Sequence, residues 1–285
     1  MWLGCGAYGD VSALLLIGSG FQSNTSDPAG PARRFPAKRP PKVRSTLTDP
    51  AVYYEVHFDG HEKLNFKALC MGHASIDTYG ARCHGSGYVL QMTIVPNARC
   101  AVTVGHLFLD LAESTGNIPV QITVDGGTET QYMFALQEQV RYVLFCIISQ
   151  WKSEFCGCAQ FMPDLPAFEV PACVKSSDNI PIESLWSYLL KFTGHDLKAA
   201  ILLGKTNNYM NPANELHIDL FHWLWPNIVQ YAIDGFVTYW NMHKTRCQSA
   251  KSLPSGVSPK QVYEDPRSYG LRHAGIPLYL HKHCG

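Results

Sequence analysis

A chain of 285 residues with 46% hydrophobic side chains is long enough for one sizeable core with tails, or for two small domains. Its 23 basic and 23 acidic side chains cancel, so bulk charge gives no support for nucleic-acid binding, although a local basic face would suffice. Ten cysteines without a repeating spacing exclude a zinc ribbon or a small disulfide scaffold and fit free thiols in a reducing compartment.

Residues 1–50 are rich in Gly, Ser and Pro. Their apolar patch, Ala13 to Ile17, lacks the basic flank of a signal peptide. Arg33, Arg34, Lys38, Arg39, Lys42 and Arg44 follow with no acid between them, and the intervening prolines forbid a helix. A disordered basic tail is expected, equally a solvated linker or a phosphate-contacting or nuclear-import segment. No apolar run approaches the ~20 residues that cross a bilayer, so a soluble intracellular protein, nuclear or cytoplasmic and without a membrane partner, is expected.

A folded core is expected over 51–245. Tyr53 to Phe58 reads as a strand ending on Asp59-Gly60, and Ala74–Tyr79 and Tyr88–Val95 as two more, with a turn at 84–87. Val104, Leu107, Phe108 and Leu111 have helical spacing, closed by Gly116. "IPVQITV" is a fourth strand and "ETQYMFALQEQVR" a second helix. The order β-β-β-α-β-α predicts a mixed sheet flanked by helices. Residues 142–174 fit no clear element. "SSDNIPIESLWSYLLKF" then opens a helix, capped by Asn179 or a neighbour, with Pro181 in its first turn. "ELHIDLFHWLWPNIVQYAIDGFVTYWNMHKTR" is helical, with Pro226 expected to start a second segment, and 246–285 reads as a turn-rich extension.

Three carboxylates stand where these elements end. In "QITVDGGTET" a β-branched run stops on Asp125 and two glycines, which puts a carboxylate at the carboxyl end of a strand, where open α/β sheets hold ligands. Asp59 ends the first strand in the same way, and Glu183 lies in a first helical turn. Each has a plainer explanation: the aspartates as turn formers, the glutamate as a macrodipole partner worth ~0.3–1 kcal/mol. Together they make an all-oxygen set suited to hard divalent cations.

In the order "HFDGHEKL", "SIDTYGAR", "VDGGTETQ" and "SSDNIPIESLW", the chain resembles the integrase core domain of retroviral integrases and related transposases. It looks closest to the integrase-core proteins of fungal and animal genomes, over roughly residues 53–260. The resemblance implies an α/β, RNase H-like fold: a mixed five-stranded sheet flanked by helices. It also implies an Asp-Asp-Glu triad holding two Mg2+ or Mn2+ ions, and joining of donor DNA ends to target DNA by direct transesterification. DNA is then the partner, and a homo-oligomer is expected. Carried over by motif, Asp59, Asp125 and Glu183 are the catalytic and metal-binding carboxylates and Asp77 is structural. Asn241, His243, Lys244 and Arg246 are expected to face nucleic acid, and Lys205 to touch DNA backbone.

The chain departs from that pattern. It lacks the His-His-Cys-Cys zinc module that precedes many integrase cores. Asp125 and Glu183 are 58 residues apart (183 − 125), longer than in most relatives. The excess falls on 142–163, an insertion that is either genuine or a translated intron; a genuine one is expected to displace Glu183. The rival reading is a catalytically inactive, integrase-derived nucleic-acid-binding or assembly protein.

Other motifs are weaker. His57 and His61 flank Asp59, but no H-E-x-x-H helix exists, so hydrogen-bonding roles are expected, with one imidazole available to orient an attacking hydroxyl. His217 and His222 read as packing. "LLGKTN" lacks the upstream glycine of a phosphate loop and reads as a helix stop. Trp186, Trp223, Trp225 and Trp240 read mainly as core, with base stacking as the lesser expectation. Cys156 with Cys158, and the tail His281-Lys282-His283-Cys284, lack the second half of a metal motif.

Overall fold

Alternation along the strands decides the layering. In β2 (Glu55–Gly60), preceded by β1 (Ala51–Val52), Val56 and Phe58 turn to one face while Glu55, His57 and Asp59 turn to the other. The computed structural model describes residues 51–61, 69–140, 172–174, 179–248 and 253–278. After the small hairpin β3 (Cys70–Met71) and β4 (Ala74–Ser75) come β5 (Asp77–Cys83) and β6 (Val89–Val95). Helix α1 (Ala101–Thr115) leads to β7 (Asn117–Ile118) and β8 (Gln121–Asp125), and residues 131–140 form helix α2. Strand β9 (Ala172–Val174) precedes helices α3 (Ile180–Leu189) and α4 (His195–Thr206), joined by one wide π turn at Leu190–Gly194. Helices α5 (Glu215–Met242) and α6 (Pro259–Glu264) and the short strands β10 (Arg272–His273) and β11 (Ile276–Pro277) complete the order.

The main sheet is mixed and runs β6-β5-β2-β8, with the three-residue β9 at its edge. β6, β5 and β2 are antiparallel neighbours, whereas β2–β8 and β8–β9 are parallel. A parallel pair needs a crossover, and α1 lies on the path from the meander to β8. Val56, Phe58, Tyr79, Ala81, Ile122 and Val124 pack with Val104, Phe108 and Leu111 of α1. On the other face Met92 joins Ile182, Leu185 and Trp186 of α3 and Phe221, Trp225 and Ile233 of α5. The polar side chains of β2 are therefore covered by α3, and that sets the site.

Several expectations need correction. Pro226 does not divide its helix: α5 is one element of 28 residues with the proline inside. Its buried positions Ile218, Phe221, Trp225, Val229, Ile233, Phe236 and Trp240 keep a helical period straight through residue 226, so packing of the stripe outweighs the local penalty. The end of the chain is less turn-like than its composition. Ser258 and Gln261 form a capping box that starts α6, β10 pairs with β1, and β11 pairs with β7. The first long strand begins at Glu55 because Tyr53 takes a left-handed conformation (φ 62°).

Asn241 does not face outward. It is buried, accepting from Val89 N at 2.8 Å and donating to Val89 O at 3.0 Å. Gln230 does the same for Ile94 N and Met92 O, so two amides of α5 satisfy the edge of β6. Trp186, Trp225 and Trp240 are core residues, and Trp223 is 73% exposed. Among the described residues no helix is long and apolar enough to cross a membrane, and Cys70, Cys83, Cys100 and Cys247 are free thiols. The basic tail, residues 142–163, the Cys156–Cys158 pair and the His281–Cys284 tail lie outside the described residues.

Candidate functional site

A cleft of about 530 Å³ opens at the carboxyl ends of β2 and β8, and Asp59, Asp125 and Glu183 all line it. The two aspartates reach it by register. Glu55 pairs with Gln121, Val56 with Ile122 and His57 with Thr123, a constant offset of 66 residues. The separation of Asp59 and Asp125 is also 66 (125 − 59), so the same offset sets them level, on one face of adjacent parallel strands. Neighbouring strands lie roughly 4.8 Å apart.

Glu183 arrives on α3. Asn179 stands at the N-cap and Pro181 in the first turn, both suited to starting a helix. Asn179 is buried, and its side chain bonds to the sheet: Nδ2 donates to Phe58 O at 3.2 Å, and Oδ1 lies 2.6 Å from His57 Nδ1. Arg82 of β5 donates to Pro181 O and, at 3.0 Å, to Ser184 Oγ. Trp186 lies one turn beyond Glu183 on the same helix face. Its Nε1 donates to Asp59 Oδ2 at 2.8 Å, and its ring stacks on His61 at 4.7 Å. Sheet and helix are thus joined through a cleft carboxylate itself.

Sequence reasoning missed a fourth carboxylate. Glu129, in the 3-10 turn Thr128–Thr130, also lines the cleft. Its carboxylate folds back over Gly127 so closely that a Cβ there would stand 2.0 Å from Glu129 Oε1. The second glycine after Asp125 leaves that space; D-G-G-x-E was the available signal. The negative field is felt beneath the cleft: burial first, and then Asp59, Glu129 and Asp125, push the Tyr79 hydroxyl well above its ordinary range. Arg99, exposed at the rim, contributes a cation.

Beside the cleft runs a buried polar chain that the sequence did not reveal. His57 Nε2 lies 2.7 Å from His84 Nδ1, which lies 3.0 Å from Glu55 Oε2. Thr123 Oγ1 donates to Glu55 Oε1. Burial lowers the His57 imidazole, against the pull of Glu55. Burial opposes the Glu55 carboxylate too, but the hydrogen bond from His84 and the adjoining imidazoles hold it below its ordinary range. Of the two histidines that flank Asp59 in sequence, His57 thus bonds to Asn179 and His84, and His61 stacks on Trp186.

The remaining predicted residues lie elsewhere. Lys205 ends α4, and His243, Lys244 and Arg246 follow α5; none lines the cleft. His243 Nδ1 bonds to Trp240 O at 2.6 Å and its ring stacks on Tyr239, while Lys244 and Arg246 are exposed. Asp77 accepts from Ala98 N at 3.0 Å, tying β5 to the segment before α1. His217 accepts from Asn211 N, and His222 is exposed.

No family model matches the chain, and no curated protein matches it. Among solved structures it is similar to the catalytic core domain of BIV integrase, at 11% identity and a TM-score of 0.34, over 76% of this chain and 97% of that one. At that identity and score the likeness decides nothing for this chain, and the geometry of the cleft is what bears on its chemistry.

Proposed function

We propose that the chain is a polynucleotidyl transferase of the integrase and transposase kind, with an RNase H-like core, acting on DNA phosphodiesters. One observation carries the reading: Asp59, Asp125 and Glu183, distant in sequence, line a single cleft at the ends of adjacent parallel strands.

The donor set fits hard divalent cations. Four carboxylates line the cleft, counting Glu129, and close carboxylates repel one another unless a cation intervenes. Asp59, Asp125 and Glu183 would hold Mg2+ or Mn2+. When bound, a pair of such ions activates an attacking oxygen and stabilises a leaving one. The chain's own contributions are positional. Trp186 fixes Asp59, α3 carries Glu183 to the strand ends, and Arg99 meets phosphate at the rim. Lys205, His243, Lys244 and Arg246 would contact DNA backbone, giving salt-sensitive binding with little sequence choice.

A second reading, a non-catalytic DNA-binding or assembly protein, draws on one observation. The three carboxylates are not among the groups whose ligand atoms all lie within 4.8 Å of each other. Ligands on two ions about 4 Å apart, with bonds of about 2.1 Å, can themselves be roughly 8 Å apart, so this spacing does not favour the second reading strongly. A manganese-dependent nicking and strand-transfer assay separates the two. The enzyme reading expects product from the wild type and a loss of at least about 100-fold in Asp125→Asn, by analogy with other transition-state electrostatic groups. Equal traces from both proteins would leave only the binding protein.

A further inference from the structure

We propose that Glu55, His57 and His84 form a zinc-class metal site, distinct from the carboxylate cleft and built by this chain's own buried polar chain. The proposal does not rest on the transferase reading, since none of the three residues lines that cleft.

Three observations support it. The first is convergence. One ligand atom from each residue falls within 4.8 Å of the others, and the closest approaches are 2.7 Å (His57 Nε2 to His84 Nδ1), 3.0 Å (His84 Nδ1 to Glu55 Oε2) and 3.5 Å (His57 Nε2 to Glu55 Oε1). Donors around a tetrahedral ion with bonds of 2.0–2.1 Å are roughly 3.4 Å apart. The two carboxylate contacts stand within about 0.4 Å of that spacing, and the two imidazole nitrogens would have to part by about 0.7 Å to reach it.

The second is tautomer. Asn179 Nδ2 donates to Phe58 O, so its Oδ1 is the end that faces His57, and Oδ1 can only accept. His57 Nδ1 therefore carries the proton, and Nε2 presents a lone pair to His84 and Glu55. An imidazole whose far nitrogen is held by a hydrogen-bond acceptor is the usual arrangement of a metal-ligating histidine.

The third is charge. Among the described residues Glu55, with a side chain only 20% exposed, has no Lys or Arg partner; its ion-pair neighbours there are the two imidazoles, which are cations only when protonated. Two imidazolium rings 2.7 Å apart would repel each other, so the carboxylate has room for one added cation. The one ring proton of a neutral His84, placed on Nδ1, supplies a hydrogen bond to Glu55 but no charge. Zn2+ serves in its place if that proton moves to Nε2, which is buried without a hydrogen-bond partner among the described residues. The donor set of two imidazoles and one carboxylate suits zinc over magnesium. The partly exposed Glu55 marks the side from which an ion enters and where a solvent ligand would complete the shell.

The test uses the full chain, stripped with chelator and then titrated with Zn2+ by calorimetry and with Co2+ by visible absorption. One ion per chain is expected at this site, with cobalt d–d bands from nitrogen and oxygen ligands. The near-ultraviolet thiolate charge-transfer band, which would report cysteine sites, should not accompany them. Zinc at about a hundred times its Kd should raise the melting temperature by roughly 5–10 °C. Glu55→Gln and His84→Ala should each weaken binding by at least about tenfold, as losses around metal shells do. Glu55→Gln is isosteric and keeps the question open if His84→Ala does not fold. The proposal fails if the folded wild type takes up no zinc, or if Glu55→Gln binds as tightly as wild type.

Discussion

Gly80 stands opposite Asp59 in the β2–β5 ladder, and the tip of the Trp186 indole lies over it. A Cβ at residue 80 would come 2.7 Å from Trp186 Cη2 and 3.1 Å from Cζ2, against 3.4–4 Å for ordinary contact. Gly80 is a strand residue without positive φ, so alanine fits the backbone and would gain up to about 1 kcal/mol from strand propensity. The clash decides the sign. Trp186 is 1% exposed and pinned by the 2.8 Å bond to Asp59 and the stack on His61, so its ring cannot tilt away without weakening both.

Overpacking of this kind costs about 1–3 kcal/mol, and a weakened bond to a carboxylate adds up to about 1.5–3 kcal/mol. Gly80→Ala should therefore destabilise by roughly 2–4 kcal/mol net of propensity. Urea melts followed by far-ultraviolet circular dichroism measure it. The control is Trp186→Phe, whose smaller ring gives the methyl space: in that background Gly80→Ala should cost less than half as much. A neutral or stabilising Gly80→Ala in the wild type, or equal costs in both backgrounds, would refute the packing argument.

Two further outcomes are expected. Pro226→Ala should raise the stability of α5 by roughly 1–3 kcal/mol, because a proline in a helix interior removes a hydrogen bond and crowds the preceding turn; a fall in the urea midpoint would mean that ring packing dominates there. Alkaline pH should weaken the fold through Tyr53, whose hydroxyl is pushed up from 10 to about 12 by burial, against the Thr115 hydrogen bond. Between those values the unfolded chain gives up a proton that the folded chain keeps, so stability falls as pH rises, by roughly 2 kcal/mol at pH 12. Tyr53→Phe should reduce the slope of the stability profile between pH 10 and 12, leaving the share due to other buried tyrosines such as Tyr79, and an unchanged slope would contradict this.

Much of the fold was legible because its elements follow two periods. The strands around Phe58, Ala81 and Val124 alternate, and α1 and α5 carry unbroken apolar stripes. The aspartates at strand ends were legible because a strand-like run stops on Asp-Gly in each case, a β-branched one before Asp125. What sequence could not supply is pairing. A separation of 66 residues has no meaning until β2 and β8 are known to be parallel neighbours with that offset. His84 reaches Glu55 for a similar reason: Val56 pairs with Cys83, so the next rung outward brings residues 55 and 84 together, with His84 N bonded to Glu55 O at 2.9 Å. Glu129 was hidden by a fold-back over glycine. Trp186 was read for its apolar ring, and its indole N–H, the part that touches the site, leaves no periodic trace.

The 58-residue path from Asp125 to Glu183 invited the expectation of a displaced glutamate, yet Glu183 lines the cleft with both aspartates. The energetics explain why length matters little. Doubling a flexible connection costs only about 0.6 kcal/mol in closure entropy. Against that stand directional bonds on both sides of Glu183: Asn179 to Phe58 O, Arg82 to Pro181 O and Ser184 Oγ, and Trp186 to Asp59. A partly buried hydrogen bond to a charged group is worth about 1.5–3 kcal/mol, and leaving its partner unsatisfied costs a similar amount. Apolar packing alone would let α3 slide along its axis at modest cost. These bonds do not, because each is made to a fixed rung of β2 or β5. The position of the third carboxylate is therefore set locally, by residues 179–186 against the sheet, and the chain between the second and third carboxylates can vary in length without moving it.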